Sequence, residues 1–261
     1  VSSLTTALEK LPSLLLYALF AAAWVGLVIV VDLLMRRRIR PETRALTNST
    51  ATSMLTVLAT LYAILIAFVI VQGWSNLGDA QTQVGREATA LGEMFEDSHA
   101  LPPNAAAKIQ AATRVYARSV LDDDWQAMAD NRKPSLATTR AFHELAGTLR
   151  SVQLEGRDQP VFYQEAVARL NDVDGARQSR LDAARGTIPT PLYLLLIAGG
   201  VAVVVLAALL DSRHRRGHLM IVSIVAAIIG CTLALVVSFD HPFAGGVHVT
   251  NQPIRQVLSS Q

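Results

Sequence analysis

Residues 53–74 read SMLTVLATLYAILIAFVIVQGW, a run without a single charged side chain. A helix needs roughly 20 mostly apolar residues to cross the hydrocarbon layer of a bilayer. Lipid offers no partner to a backbone N–H or C=O, so such a run must be helical. Residues 14–34, 192–210 and 219–239 are similar apolar runs, with Asp32 near the end of the first as their one charge. The four form two pairs, with a polar stretch of the chain between them. This makes the chain an all-α membrane protein, with four transmembrane helices and a helical domain inserted between the second and third. The expected divisions are 1–74 for the first helix pair, 75–188 for the polar domain, 189–239 for the second pair and 240–261 for a C-terminal tail.

Composition agrees. Of 261 residues, 51% are hydrophobic and 17% charged, against about 25% charged in an ordinary soluble chain. Mean hydropathy is +0.35. A net charge of +2 is too small to suggest a nucleic-acid partner. The single cysteine, Cys231, lies inside the fourth run and is expected to pack as a small apolar group. The N-terminal stretch carries only Lys10 ahead of its apolar run, and Asp32 and arginines follow instead of a small-residue cleavage site. It reads as a retained first helix.

Arginines give an expected orientation. Arg36, Arg37, Arg38, Arg40 and Arg44 follow the first run, and Arg213, Arg215 and Arg216 join the third to the fourth. Short loops rich in Lys and Arg stay cytoplasmic. Four crossings then put the polar domain and both termini on the extracytoplasmic side. Arg169, Arg177, Arg180 and Arg185 near the third run are interleaved with Asp172, Asp174 and Asp182.

The polar domain has helical periodicity. Val84, Ala88, Leu91 and Phe95 continue the second membrane helix to about Ala100, where Leu101-Pro102-Pro103 breaks it. Ile109, Ala112, Tyr116 and Val120 line the next helix, which ends near Asn131. Ser135 is a candidate N-cap for a helix lined by Phe142, Leu145, Leu149 and Val152. After a break at 156–160 a last helix starts at Asp158 or Gln159, with Phe162, Ala166, Leu170, Val173 and Leu181 as its stripe. Pro189 and Pro191 mark the return to the membrane.

No nucleotide-binding glycine loop, HExxH, GxSxG or CxxC motif is present, so no enzyme activity and no cofactor are expected. His214 and His218 share a helix face but lack a third ligand for a metal. Asp122-Asp123-Asp124 lacks the spacing of a calcium loop and reads as a solvated helix end. Ala226, Gly230 and Ala234 form a small-residue ridge for helix packing, and Gly199-Gly200 is read the same way. Asp240, at the C-terminal end of the fourth membrane helix, is disfavoured there by the helix dipole and is expected to have a partner. No acid or base sits near mid-membrane, which argues against a proton relay.

The second membrane helix carries the candidate pore residues. Ser53, Thr56 and Thr60 share a stripe with Ser49, and the stripe continues as Ile64, Ala67, Val71 and Trp74. A hydroxyl row giving way to an apolar band suits a water-filled path with a hydrophobic constriction. Ordinary helix packing is the competing reading.

The combination Val-Gln72-Gly-Trp74-Ser-Asn76-x3-Ala80, Glu87-Ala88-x2-Leu91-Gly92, Tyr116-Ala117, Arg180-Leu181 and Phe-Asp240-His-Pro242-Phe243-x-Gly245 resembles a bacterial membrane family of unknown function called bestrophin-like. The likeness runs over nearly the whole chain, with Gln72, Trp74, Asn76, Glu87, Asp240, Pro242, Phe243 and Gly245 as its motif residues. Its name comes from distant similarity to bestrophins, pentameric ion channels whose second helix lines the pore at an apolar neck. The resemblance therefore implies a homo-oligomeric channel in a bacterial inner membrane, with the lipid bilayer, further copies of the chain and inorganic ions as partners. Two features depart from bestrophins. There is no counterpart of the acidic calcium clasp, and the arginines place the middle domain opposite to the cytoplasmic position it has there. A sensor or scaffold whose helical domain binds a partner or small ligand is the alternative.

Overall fold

The computed structural model describes residues 13–38, 41–153, 159–186, 188–210, 214–244 and 246–260. Residues 1–12, Arg40, the linker at 154–158, Arg213 and Gly245 lie outside them, as do the side chains of Arg36 and Arg44. Among the described residues the protein is all-helical. In chain order the helices are α1 (Ser13–Arg38), α2 (Pro41–Asp97), α3 (Pro103–Ser119), α4 (Trp125–Asn131), α5 (Leu136–Arg150), α6 (Gln159–Ala184), α7 (Thr190–Leu209), α8 (Arg215–Phe239) and α9 (Gln252–Ser260). Four are long and apolar enough to cross a membrane: α1, α2, α7 and α8. The protein is a multi-pass membrane protein. Its contacts divide it into two units, one of Val1–Trp74 with Thr187–Asp240 and one of Ser75–Gly186 with His241–Gln261.

The first unit is a membrane bundle with an apolar core of Trp24, Val28, Tyr62, Ile66, Val69, Leu196, Val204, Ala226, Ile229 and Val236. Its outer surface is apolar too: Leu14, Leu61, Phe68, Leu194 and Ile228 are all exposed. Apolar attraction therefore cannot distinguish inside from outside, and close fit decides the packing. A Cβ on Gly230 would stand 2.7 Å from the Phe20 carbonyl oxygen, so α8 meets the backbone of α1 there. A Cβ on Gly199 would stand 2.8 Å from the Tyr62 ring, and one on Gly200 2.6 Å from Trp24. Ala226 and Ala234 are fully buried beside Gly230. The small-residue positions read from sequence are thus packing positions. At one end of this unit Arg215 Nη2 donates to Asp32 Oδ2 at 3.2 Å, tying α8 to α1. Pro189 and Pro191 open α7 as expected.

The second unit is a helical assembly around Val84, Leu91, Met94, Ile109, Tyr116, Val120, Leu145, Leu149, Val173 and Ile254. One 3₁₀ turn, Ser98–Ala100, ends α2 before the Leu101-Pro102-Pro103 break. Between α3 and α4 lies a single π turn, Val120–Asp124. Arg132 closes α4 in the left-handed conformation at φ 54°. Ser135 caps α5, its hydroxyl accepting the Ala137 N–H at 3.1 Å.

Two readings need correction. Phe162 stays 41% exposed: it keeps step with Ala166, Leu170, Val173, Arg177 and Arg180, but it stands in the first turns of α6, ahead of the stretch that the other helices cover. Asp124 is fully buried and belongs to no solvated helix end, whereas Asp122 and Asp123 are exposed. His241–Gln261 packs with the polar helices: Ile254 and Val249 enter their core, and Gln81 Oε1 accepts the Thr250 N–H at 2.8 Å.

Candidate functional site

In the membrane unit, α2 packs through Tyr62, Ile66, Val69 and Gly73. At 3.6 residues per turn, Ser53, Thr60, Ile64 and Val71 lie roughly opposite that face. All seven stripe residues from Ser53 to Trp74 are exposed. The most apolar window of α2 is only 11% buried, against 22% for α1, 33% for α7 and 44% for α8. The membrane part of α2 is therefore the least covered of the four by its own chain. Its hydroxyls bond within the helix: Ser53 Oγ donates to the Ser49 carbonyl at 3.1 Å, Thr56 Oγ1 to Thr52 at 3.0 Å and Thr60 Oγ1 to Thr56 at 2.8 Å. Each donor is satisfied without another helix, which leaves oxygen lone pairs on the exposed face. Trp74 meets Phe239 edge to face at 6.0 Å. Asp240, buried at the end of α8, accepts the Ile188 N–H on Oδ1 at 2.9 Å.

The helical unit holds a second constellation, with its four polar side chains entirely buried. Arg180 Nε donates to Glu87 Oε2 at 2.6 Å and its Nη2 to Glu87 Oε1 at 3.2 Å. Tyr116 Oη donates to Glu87 Oε1 at 2.6 Å. Arg180 Nη1 lies 2.9 Å from Asp124 Oδ2 in an ion pair and points its N–H at Met128 Sδ, 3.1 Å away. Asp124 Oδ1 accepts the Ser135 N–H at 2.7 Å. Nearby, Arg177 donates to Thr139 Oγ1 at 3.0 Å and lies over the Phe142 ring. Two carboxylates thus share the Arg180 guanidinium, and burial of these charges is tolerated because they are paired and hydrogen-bonded. Burial by itself would lower the Arg180 pKa; Glu87, then Tyr116 and Asp124, outweigh it and raise it. Burial, reinforced by Glu87, pushes the Tyr116 hydroxyl well above the usual phenol range.

Sequence reading marked Glu87 as a motif residue, Tyr116 as a motif and stripe residue and Arg180 as a motif residue among the arginines near the third run, and missed their union with Asp124. A signal was available. Glu87 falls on the Val84–Leu91 stripe, Arg180 on the Val173–Ala184 stripe and Asp124 on the Tyr116–Met128 stripe, each a charge where the period asks for an apolar residue. On the same unit, an open groove of about 710 Å³ runs between α2 and α6, lined by Gln83, Gly85, Arg86, Asn171, Gly175 and Ser179 among others. Phe243 stacks edge to face on Trp125 at 5.3 Å, and the buried Pro242 accepts the Val249 N–H at 2.7 Å. Asn76 is half-buried and Gln72 exposed. The motif residues thus fall into two groups: Gln72, Trp74 and Asp240 in the membrane unit, Asn76, Glu87, Pro242 and Phe243 in the helical unit. Among the described residues no group of His, Cys, Asp and Glu has the arrangement of a metal site.

A family model described as Bestrophin-like domain matches residues 18–254. Three solved structures of point variants of a bacterial bestrophin homolog from Klebsiella pneumoniae share the fold. One is 11% identical, with a TM-score of 0.67 over 93% of this chain and 96% of that one. A second is 11% identical, with a TM-score of 0.68 over 92% and 96%. The third is 13% identical, with a TM-score of 0.68 over 94% and 99%. Identities this low speak for the fold alone. No curated protein matches the sequence.

Proposed function

The chain belongs to the bestrophin-like family, and from that premise we propose that it forms an oligomeric ion channel whose pore is lined by the exposed face of α2. The observation that carries this reading is the stripe itself. Seven residues from Ser53 to Trp74 are left uncovered opposite the packed face of α2. Hydroxyl oxygens occupy one half and Ile64, Ala67 and Val71 the other. Further copies of the chain set around an axis, five by the bestrophin resemblance, would enclose this stripe. The hydroxyl half would hold water and the apolar half would narrow and gate by dewetting. Gln72 and Trp74 follow directly at the end of the apolar half.

The arginine-rich turns support a cytoplasmic location for the α1–α2 and α7–α8 connections. The helical unit and both termini then face the extracytoplasmic side of a bacterial inner membrane.

Purified protein in planar bilayers is expected to conduct, with Ile64→Ala raising conductance and Thr60→Asp shifting the balance between cations and anions. Bilayers that stay silent across salt, pH and calcium, with protein insertion verified, would overturn the channel reading. A sensor or scaffold role is favoured by one observation, the open groove between α2 and α6. Recovery of a specific co-purifying partner lost on Gly175→Leu would support it.

A further inference from the structure

The two arginine clusters are far apart in sequence, and the described helix ends that carry them are adjacent in the folded chain. The Arg215–Asp32 bond, across 183 residues, sets the first turn of α8 beside the last turns of α1. Arg37 and Arg38 leave the end of α1, Arg216 leaves the start of α8, and all three side chains are exposed. Asp32 is 2% exposed and engaged by Arg215. α8 has no acid in its first turn. Over both turns, eight arginines stand against Asp32, Glu42 and Asp211.

This patch lies at the ends of membrane-spanning helices, the depth of phospholipid headgroups. A guanidinium presents a planar fork of donors that fits two phosphate oxygens at once. We propose that the convergent turns bind anionic phospholipids, with Arg37, Arg38 and Arg216 gripping headgroup phosphates while Arg215, held by Asp32, keeps the two helix ends together. The orientation signal explains why arginines lie on one side of the membrane; the ion pair makes one binding surface of them. The inference rests on the membrane-spanning fold and is independent of whether the protein conducts.

The test uses the full chain in mild detergent, mixed with phosphatidylcholine alone or with added phosphatidylglycerol, and retained lipid is counted by native mass spectrometry. Phosphatidylglycerol should be retained in preference to phosphatidylcholine, and less so at high salt. Retention should weaken about fivefold for each arginine removed among Arg37→Gln, Arg38→Gln and Arg216→Gln. The corresponding lysine variants should keep only part of it, since an ammonium keeps the charge without the fork, and Arg118→Gln with Arg140→Gln, on the helical unit, should change nothing. Arg216→Gln alone should give one such step, which guards against misinsertion of the triple variant. Equal retention of the two lipids would overturn the proposal, as would a triple variant that holds phosphatidylglycerol like the parent. Displacement of the lipid by free glycerol phosphate at equal concentration would also overturn it, by revealing a site for soluble phosphate.

Discussion

The two units of this chain solve the same packing problem with opposite means. In the membrane bundle both the inner and outer faces are apolar, and contact is set by glycines that let Tyr62, Trp24 and the backbone of α1 come close. In the helical unit each helix has one apolar stripe, and the stripes are interrupted by Glu87, Asp124, Arg177 and Arg180, all buried. Lipid removes the hydrophobic drive between helices, so shape decides. Water supplies that drive but leaves the helices able to slide along one another, and a buried ion pair admits one register. Specificity from buried charge holds in some proteins and not in others, and it can be tested here.

The largest expected effect is on the charged core. Arg180→Met leaves Glu87 and Asp124 buried and unpaired, and should cost about 3–5 kcal/mol. Hydrogen exchange in the full chain should show the loss in α2 beyond Trp74, α3 and α6 while α7 and α8 stay protected. Adding Glu87→Gln should recover part of it. If the single variant left exchange unchanged, the contrast between the units would fail.

Next comes Gly230→Ala, whose new methyl would meet the Phe20 carbonyl oxygen at 2.7 Å and should cost about 1–3 kcal/mol through overpacking. Thermal unfolding in detergent reads this directly. Tyr116→Phe removes a buried hydrogen bond to a carboxylate and should cost about 1.5–3 kcal/mol. Because the folded-state pKa of Tyr116 is raised, its contribution is complete below the unfolded value, about 10, and is lost as pH climbs toward the folded value. The phenylalanine variant should therefore show a flatter alkaline limb of stability.

The smallest effect has the opposite sign. A Cβ on Gly85 meets nothing within 4 Å. Gly85→Ala should stabilise the helical unit by about 0.4–1 kcal/mol, by restricting the unfolded chain. A loss instead would mean that another surface closes on that groove.

Most of the helical layout was legible in sequence because it rests on local rules. Apolar length marked α1, α2, α7 and α8, prolines marked the breaks at Leu101-Pro102-Pro103 and Pro189, and Ser135 announced its cap. The exposed stripe of α2 was legible as a pattern on one helix, since period alone decides which residues share a face. The charged core was not, because Glu87 and Arg180 lie 93 residues apart and no local rule pairs them. The π turn hid Asp124 further, by shifting the helical phase through an acidic triplet that looks solvated. Phe162 keeps the period of the buried stripe yet stays exposed, because period marks the face of a helix and not how far along it the cover extends.

The bond between Gln81 and Thr250 spans 169 residues, and Ile254 is fully enclosed in the same core. Synthesis of α7 and α8 falls between these two ends. The helical unit consequently waits, one wall missing, until both later spans have been threaded through the translocation machinery. Long-range closure of this kind is slow and leaves sticky surface on view meanwhile, so the stretch around Thr250 acts as the latch on a wall laid down 169 residues earlier at Gln81.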